Sequence, residues 1–229
     1  MRDGKQGAWQ PGLDQAVNED KRNRSLQDLC ERHRESLRKR DPVQLARQAA
    51  MSIRQTEQGS FMLSGEHLAC EYRIIWPSLA VTDSHGSPAS LQTEALWLHY
   101  LDRADGQPLS GRWVNLSEIG GLFYQQAFQG YCGDMLAEYW KGNLEGLRKS
   151  CLANGGWALP EPGDLAFEWR ILPRLPLCLC YRLPADNRGA WATILFDAAA
   201  DHYVAADVAA TVAKKLADRL VSSADKDMI

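Results

Sequence analysis

Apolar residues recur at helical spacing between residues 87 and 103. Leu91, Ala95, Leu98 and Leu101 stand at i, i+4, i+7 and i+10, flanked by Trp97 and Tyr100. This stripe predicts an amphipathic helix whose apolar face enters the core. Ser87 followed by Pro88 reads as its N-cap and first turn, where a missing N–H costs nothing. Ala104-Asp105-Gly106-Gln107-Pro108 ends the helix with turn chemistry, and residues 110–116 alternate like a short strand. Upstream, Leu26, Leu29, His33 and Leu37 lay a thin stripe along 13–40, which predicts a helix packed on one narrow side. Asp41-Pro42 caps a second predicted helix over 42–55, with Val43, Leu45, Ala46, Ala49, Ala50 and Ile53 as its apolar positions.

Between 60 and 82 the apolar runs are short, as in Phe61-Met62-Leu63 and Leu79-Ala80-Val81. They predict a small antiparallel meander with turns at Ser64-Gly65 and Trp76-Pro77. Gly120-Gly121 leads into a short aromatic helix ending near Gly130. Residues 134–154 read as a further helix, weakened in its middle by Gly142 and Gly146. Residues 165–171, 175–183 and 190–196 are three strands bounded by proline and Asp-Asn turns, either a second antiparallel segment or an extension of the first. Val208, Val212, Leu216 and Leu220 make 206–222 a closing helix. The expected fold class is α+β: an antiparallel sheet packed with several helices, plus an N-terminal helical arm. The expected organisation is a charged tail and arm over 1–40, a single α+β domain over 41–222 and a polar tail over 223–229.

Composition narrows the function classes. The chain has 229 residues, 45% hydrophobic and 24% charged, which suits a globular domain with a sizeable core. A net charge of −3 leaves no electrostatic footprint for nucleic acid or an anionic membrane. There is no apolar run long enough for a transmembrane helix and no apolar leader near Met1, so a cytoplasmic address is expected. Residues 13–40 are locally basic, but Asp14, Glu19, Asp20, Asp28, Glu31 and Glu35 are interspersed. That favours a solvated helix over a nucleic-acid arm and leaves a protein partner through 13–40 open. Six cysteines in a reducing compartment read as buried thiols rather than a disulfide framework. Cys178 and Cys180 face one side of a strand and would need two more ligands to hold a metal, so small apolar packing is the favoured role and no metal site is assigned.

The stretch LWLHYLDRADGQPLSGRWVNLSEI over 96–119, followed by Gly120-Gly121 and FYQQAF, resembles the centre of an uncharacterised bacterial and archaeal family, domain of unknown function 3786. The resemblance returns at Leu172-Pro173-Arg174-Leu175-Pro176-Leu177 and at Ile194-Leu195-Phe196-Asp197 with Ala200, Tyr203 and Asp207, and covers roughly residues 40–222. It implies a link to anaerobic metabolism, since some relatives carry an extra cysteine-rich domain resembling the iron–sulfur domain of corrinoid proteins. This chain lacks that domain. A corrinoid or tetrapyrrole ligand is the expectation drawn from the resemblance, with His99, His202 or a cysteine as axial ligand.

The best catalytic set the residue types offer is His99, Asp105, Glu118 and Asp197, an acid/base candidate with carboxylates. The ligand-binding candidates are Trp113, Tyr124, Arg174 and His202. Each also has a plainer reading. His99 suits a half-buried imidazole bonded to a carbonyl at a helix C-terminus, and Asp197 suits the cap of the Ala198-Ala199-Ala200 turn. Arg170 and Arg174 could clamp a carboxylate or phosphate, or pair with Glu168 or Asp197. Trp76, Trp113, Trp157 and Trp191 sit near element ends, where they could wall an apolar pocket. Three functions follow: a cofactor- or ligand-binding accessory module, a small-molecule enzyme using His99 and carboxylates, or a protein-interaction module.

Overall fold

The computed structural model describes residues 11–185 and 188–226, with side-chain surroundings for 19–185 and 188–222. The fold is α+β, with two antiparallel sheets rather than one. The first is a meander in the order β1 (Ser52–Gln55), β2 (Phe61–His67), β3 (Cys70–Trp76) and β4 (Ala80–Asp83). The second has the order β5-β9-β8-β7-β6, from β5 (Trp113–Val114), β6 (Trp157–Leu159), β7 (Leu165–Leu172), β8 (Leu175–Arg182) and β9 (Trp191–Asp197). Helix α1 (Pro11–Leu37) and α2 (Pro42–Gln48) precede the meander, and α3 (Leu91–Arg103) joins the two sheets. A helical run then passes through α4 (Gln125–Phe128), a π turn (Gln129–Asp134) and α5 (Met135–Trp140). It is followed by α6 (Leu144–Ala153) and the closing α7 (Ala206–Lys226).

Helix α3 has the predicted stripe inward: Ala95, Leu98 and Leu101 are buried together with Trp97 and Tyr100. Its N-cap, however, is Ser90, whose hydroxyl accepts the Thr93 N–H at 3.3 Å, and not Ser87. Pro88 instead forms a bridge with Thr82 beside β4. Two aromatic rings anchor the helix. Trp97 lies over Gly65, where a Cβ would stand 2.8 Å from the indole Cη2, so Gly65 provides a seat for the ring inside β2 and not the predicted turn. The β2–β3 turn falls at Leu68-Ala69, both with positive φ. Tyr100 donates its hydroxyl to Ala49 O at 2.7 Å and stacks on Tyr203 at 5.6 Å, tying α3 to the end of α2 and to the segment before α7.

Helix α1 docks on α3 through its C-terminal half. Cys30 and Leu37 are buried, Ser36 Oγ donates to Asp102 Oδ1 at 2.7 Å, and His33 Nδ1 meets Asp102 Oδ2 at 2.8 Å. Arg40, just past the helix, donates to the carbonyl of Asp102 at 2.8 Å, satisfying a group that the end of α3 leaves free. The tail expected ahead of the 13–40 helix lies largely outside the described residues, and α1 is described from Pro11. The predicted helix 42–55 stops at Gln48. Ala50 turns the chain with φ 51°, and β-branched Ile53 belongs to β1. The helix expected over 134–154 is two helices, broken where Lys141 and Gly142 adopt positive φ. The strand expected over 110–116 is only Trp113–Val114, and α7 continues past 222 to Lys226.

In the second sheet, β8 is buried from Leu175 to Tyr181, which its apolar run Leu-Pro-Leu-Cys-Leu-Cys-Tyr requires. Cys178 and Cys180 are packing thiols there. Burial pushes the Cys178 thiol up to about 12, which keeps it protonated and inert. Pro176 is tolerated near the strand start because β7 bulges opposite it, between Arg170 and Leu172. The carbonyl of Ile171, skipped in that register, accepts from His67 Nδ1 at 2.9 Å and so links the two sheets.

Candidate functional site

Asp105, Arg174, Asp197 and His202 converge on one segment, residues 104–111, which carries the chain from α3 to β5. Asp197 is 2% exposed and accepts four hydrogen bonds. Its Oδ1 receives the Ser110 N–H at 3.0 Å, the Ser110 hydroxyl at 3.0 Å and the Ala199 N–H at 2.9 Å. Its Oδ2 receives the Gly111 N–H at 2.8 Å. Asp105 accepts the Gln107 N–H at 2.9 Å and meets His202 Nδ1 at 2.6 Å, and that His202 contact is the first cause of its lowered carboxyl pKa. Arg174 Nη1 donates to Gln107 O at 3.0 Å, and the Tyr203 hydroxyl donates to the same carbonyl. These groups form a clasp around a loop, each with a protein partner.

His99 sits beside the clasp. Its Nε2 accepts the Ala205 N–H at 3.1 Å, so the imidazole is an acceptor of an amide and not the predicted partner of a carbonyl. Its ring meets His33 edge-on at 5.3 Å. Burial, followed by the charges of His33 and Arg103, lowers its pKa to about 4. A free histidine titrates near 6.5, so the unfolded chain binds a proton here that the folded chain rejects. The stabilising contribution is therefore complete above about pH 6.5 and is lost as pH falls from there through 4. Urea-unfolding midpoints should drop over that window in the native chain. His99→Gln, which keeps an acceptor but cannot titrate, should show a flatter profile.

The remaining candidates lie elsewhere. Glu118 completes a capping box for the single 3-10 turn Leu116–Ile119, accepting the Asn115 N–H at 3.2 Å, and pairs with Arg112 at 3.2 Å. Trp113 is half-buried in β5, opposite Asp197 in register. Tyr124 is exposed, in line with Leu122 and with Phe123 at 94% exposure. Arg170 and Arg174 do not form a common clamp. Arg170 instead lines an inter-sheet cleft of about 510 Å³ with Ser52, Ser64, Glu66 and Glu71.

At the far end of β8 and β9, a cleft of about 660 Å³ is lined by Leu183, Ala185, Gly189, Ala190 and Trp191, with Arg182, Arg188 and Asp164 at its polar positions. Its size falls in the range of small-molecule sites. Trp191 is 42% exposed and lies under the guanidinium of Arg182, whose carbon is 5.7 Å from the ring centroid. The two are direct cross-strand partners. A second cleft of about 400 Å³ on the other side of the hairpin shares Gly189 and Ala190 and adds Asp134, Glu138, Lys141 and Pro184. Beside the second cleft, the π turn Gln129–Asp134 meets the root of β9: Gln129 Nε2 donates to Ala192 O and to Asp134 Oδ1, both at 2.9 Å. Single π turns within helices are frequent at functional sites. Of the four tryptophans expected to wall a pocket, Trp191 lines this one. The pairing of Arg182 with Trp191 was not identified from sequence, because only the β8–β9 register brings them together. Among the described residues no cluster of three or more metal-ligating side chains occurs.

Residues 41–219 match the family described as Domain of unknown function (DUF3786). The chain belongs to that family. In this DUF3786 protein the match takes in both sheets, the clasp and the two hairpin clefts, and it leaves out α1. No curated protein and no solved structure matches the chain.

Proposed function

We propose that this DUF3786 protein is a ligand-binding module and that the cleft beside Trp191 is its ligand seat. One observation carries the reading: a large aromatic ring, held in place by Arg182, faces an apolar-walled cleft of about 660 Å³. Exposed tryptophan area in a concave, mostly apolar setting is what a planar organic ligand uses. Acid–base catalysis has less support, because the imidazole it needs, His99, is neutral and committed to Ala205 N–H. An axially ligated macrocycle also fits poorly. The described residues of the cleft lining offer neither imidazole nor thiol, and His202 is paired with Asp105. A second reading, a protein partner docking on Leu122-Phe123-Tyr124, is favoured by the exposure of those three side chains.

Titration with the neutral fluorophore N-phenyl-1-naphthylamine separates the two. Saturable binding by the native chain should be lost in Trp191→Ala and kept in Phe123→Ser. Loss in Phe123→Ser with retention in Trp191→Ala would reject the cleft as the seat.

A further inference from the structure

Resting on the reading of this cleft as the ligand seat, we infer that its ligand is a planar aromatic molecule bearing an oxyanion: a carboxylate, phosphate or sulfonate. The cleft combines two kinds of surface. Leu183, Ala185, Ala190 and the open part of the Trp191 ring supply a flat apolar wall. Arg182 and Arg188 bring two guanidinium groups, one from the end of β8 and one from the return limb of the hairpin.

Their charge is available. Neither arginine has an ion pair with a described carboxylate, whereas Arg34, Arg38, Arg40, Arg73 and Arg112 all do. Asp164, the carboxylate among the described residues lining the cleft, is engaged at the edge, where its Oδ2 accepts the Leu183 N–H at 2.8 Å. Among the described residues that line the cleft, two guanidiniums stand against one carboxylate. The surroundings are the opposite. Residues 1–40 hold 10 Lys and Arg against 7 Asp and Glu, a net of +3, so the −3 of the whole chain leaves −6 for residues 41–229. An acidic body repels anions at long range, so selection for an anionic group acts through contact with the two guanidiniums.

The geometry also assigns the parts of the ligand. An aromatic plane stacked on Trp191 would lie beside the Arg182 guanidinium that already lies over that ring, and the oxyanion at its edge is assigned to Arg182 and Arg188, the two cations of the described lining. Arginine suits this role better than lysine, because its planar fork both stacks on rings and pairs two oxygens at once.

The test compares two probes of similar ring size on the full chain: 1-anilinonaphthalene-8-sulfonate, which carries the oxyanion, and neutral N-phenyl-1-naphthylamine. The expected result is that the sulfonate binds about tenfold more tightly, the scale of one charge-assisted contact. Arg188→Gln should remove that advantage without changing the neutral probe. Raising salt to 1 M should weaken only the sulfonate. Equal binding of both probes in a Trp191-dependent manner, with no change in Arg188→Gln, would overturn the oxyanion inference and leave the cleft reading intact. Failure of both probes to bind in a Trp191-dependent manner would overturn both.

Discussion

Asp197→Ala should destabilise the protein by about 3 kcal/mol, since each buried donor left unpaired costs roughly 1–3 kcal/mol. The carboxylate is buried and serves four donors, three of them backbone N–H groups: Ser110, Gly111 and Ala199. Alanine offers none of them an acceptor. Ser110 and Gly111 lie in an exposed stretch where water can take over part of the loss, whereas Ala199 is buried and cannot recover its bond. That asymmetry places the estimate nearer the cost of one or two orphaned donors than of four. Asp197→Asn should cost less than alanine, because one oxygen acceptor survives while the new NH2 faces a donor. In thermal unfolding, a loss of about 3 kcal/mol in a chain of this size lowers the midpoint by roughly 6–12 °C. A fall of less than a degree would mean that the 104–111 segment is held by something other than this clasp.

Gly133→Ala should cost roughly 2–3 kcal/mol, at the upper part of the usual overpacking range, and should also impair the cleft. A Cβ at Gly133 would stand 2.3 Å from the Ala192 carbonyl oxygen and 2.3 Å from Gln129 Nε2. The Gln129 side chain can swing away, at the loss of its bond to Ala192 O. The carbonyl itself has little freedom, because Ala192 pairs with Tyr181 in the β8–β9 ladder. The helix must therefore move off the sheet or the root of β9 must shift, and Trp191 is the adjacent residue. Gly130→Ala, in the same turn but with open space around its would-be Cβ, is the matched control and should leave unfolding unchanged. Equal effects of the two substitutions on stability would show that glycine content matters and the close approach to β9 does not.

Where local chemistry and burial agree, the sequence already predicts the element. Helix α3, helix α7 and strands β7, β8 and β9 follow their apolar patterns, and the α+β class follows from them. The errors come from positions where tertiary packing overrode local preference. Gly65 carries a turn signal but exists to admit Trp97, while the real turn uses Leu68 and Ala69 in a conformation their residue types do not advertise. Ile53 sits on a helical spacing with Leu45 and Ala49, yet the chain reverses at Ala50, another non-glycine residue with positive φ. Strand β6 is three residues long and exposed at Trp157, too short to leave a period.

The site shows the same limit from the chemical side. Asp105, Arg174, Asp197 and His202, offered by residue type as catalytic or ligand-binding candidates, converge on one segment, but types alone do not show that every one is already spent on holding it. The cleft was hidden because its two defining residues, Arg182 and Trp191, are nine positions apart and meet only through strand register. Arg188, bridged to Ala185, reads as ordinary hairpin polarity.

Hydrogen–deuterium exchange on the full chain, with and without saturating 1-anilinonaphthalene-8-sulfonate, tests the ligand-seat proposal most directly. Slowed exchange is expected in peptides that span the end of β8, the hairpin and the start of β9, with little change around Leu122-Phe123-Tyr124. Protection confined to the 122–124 aromatic segment, or spread without preference over the exposed apolar surface, would contradict it.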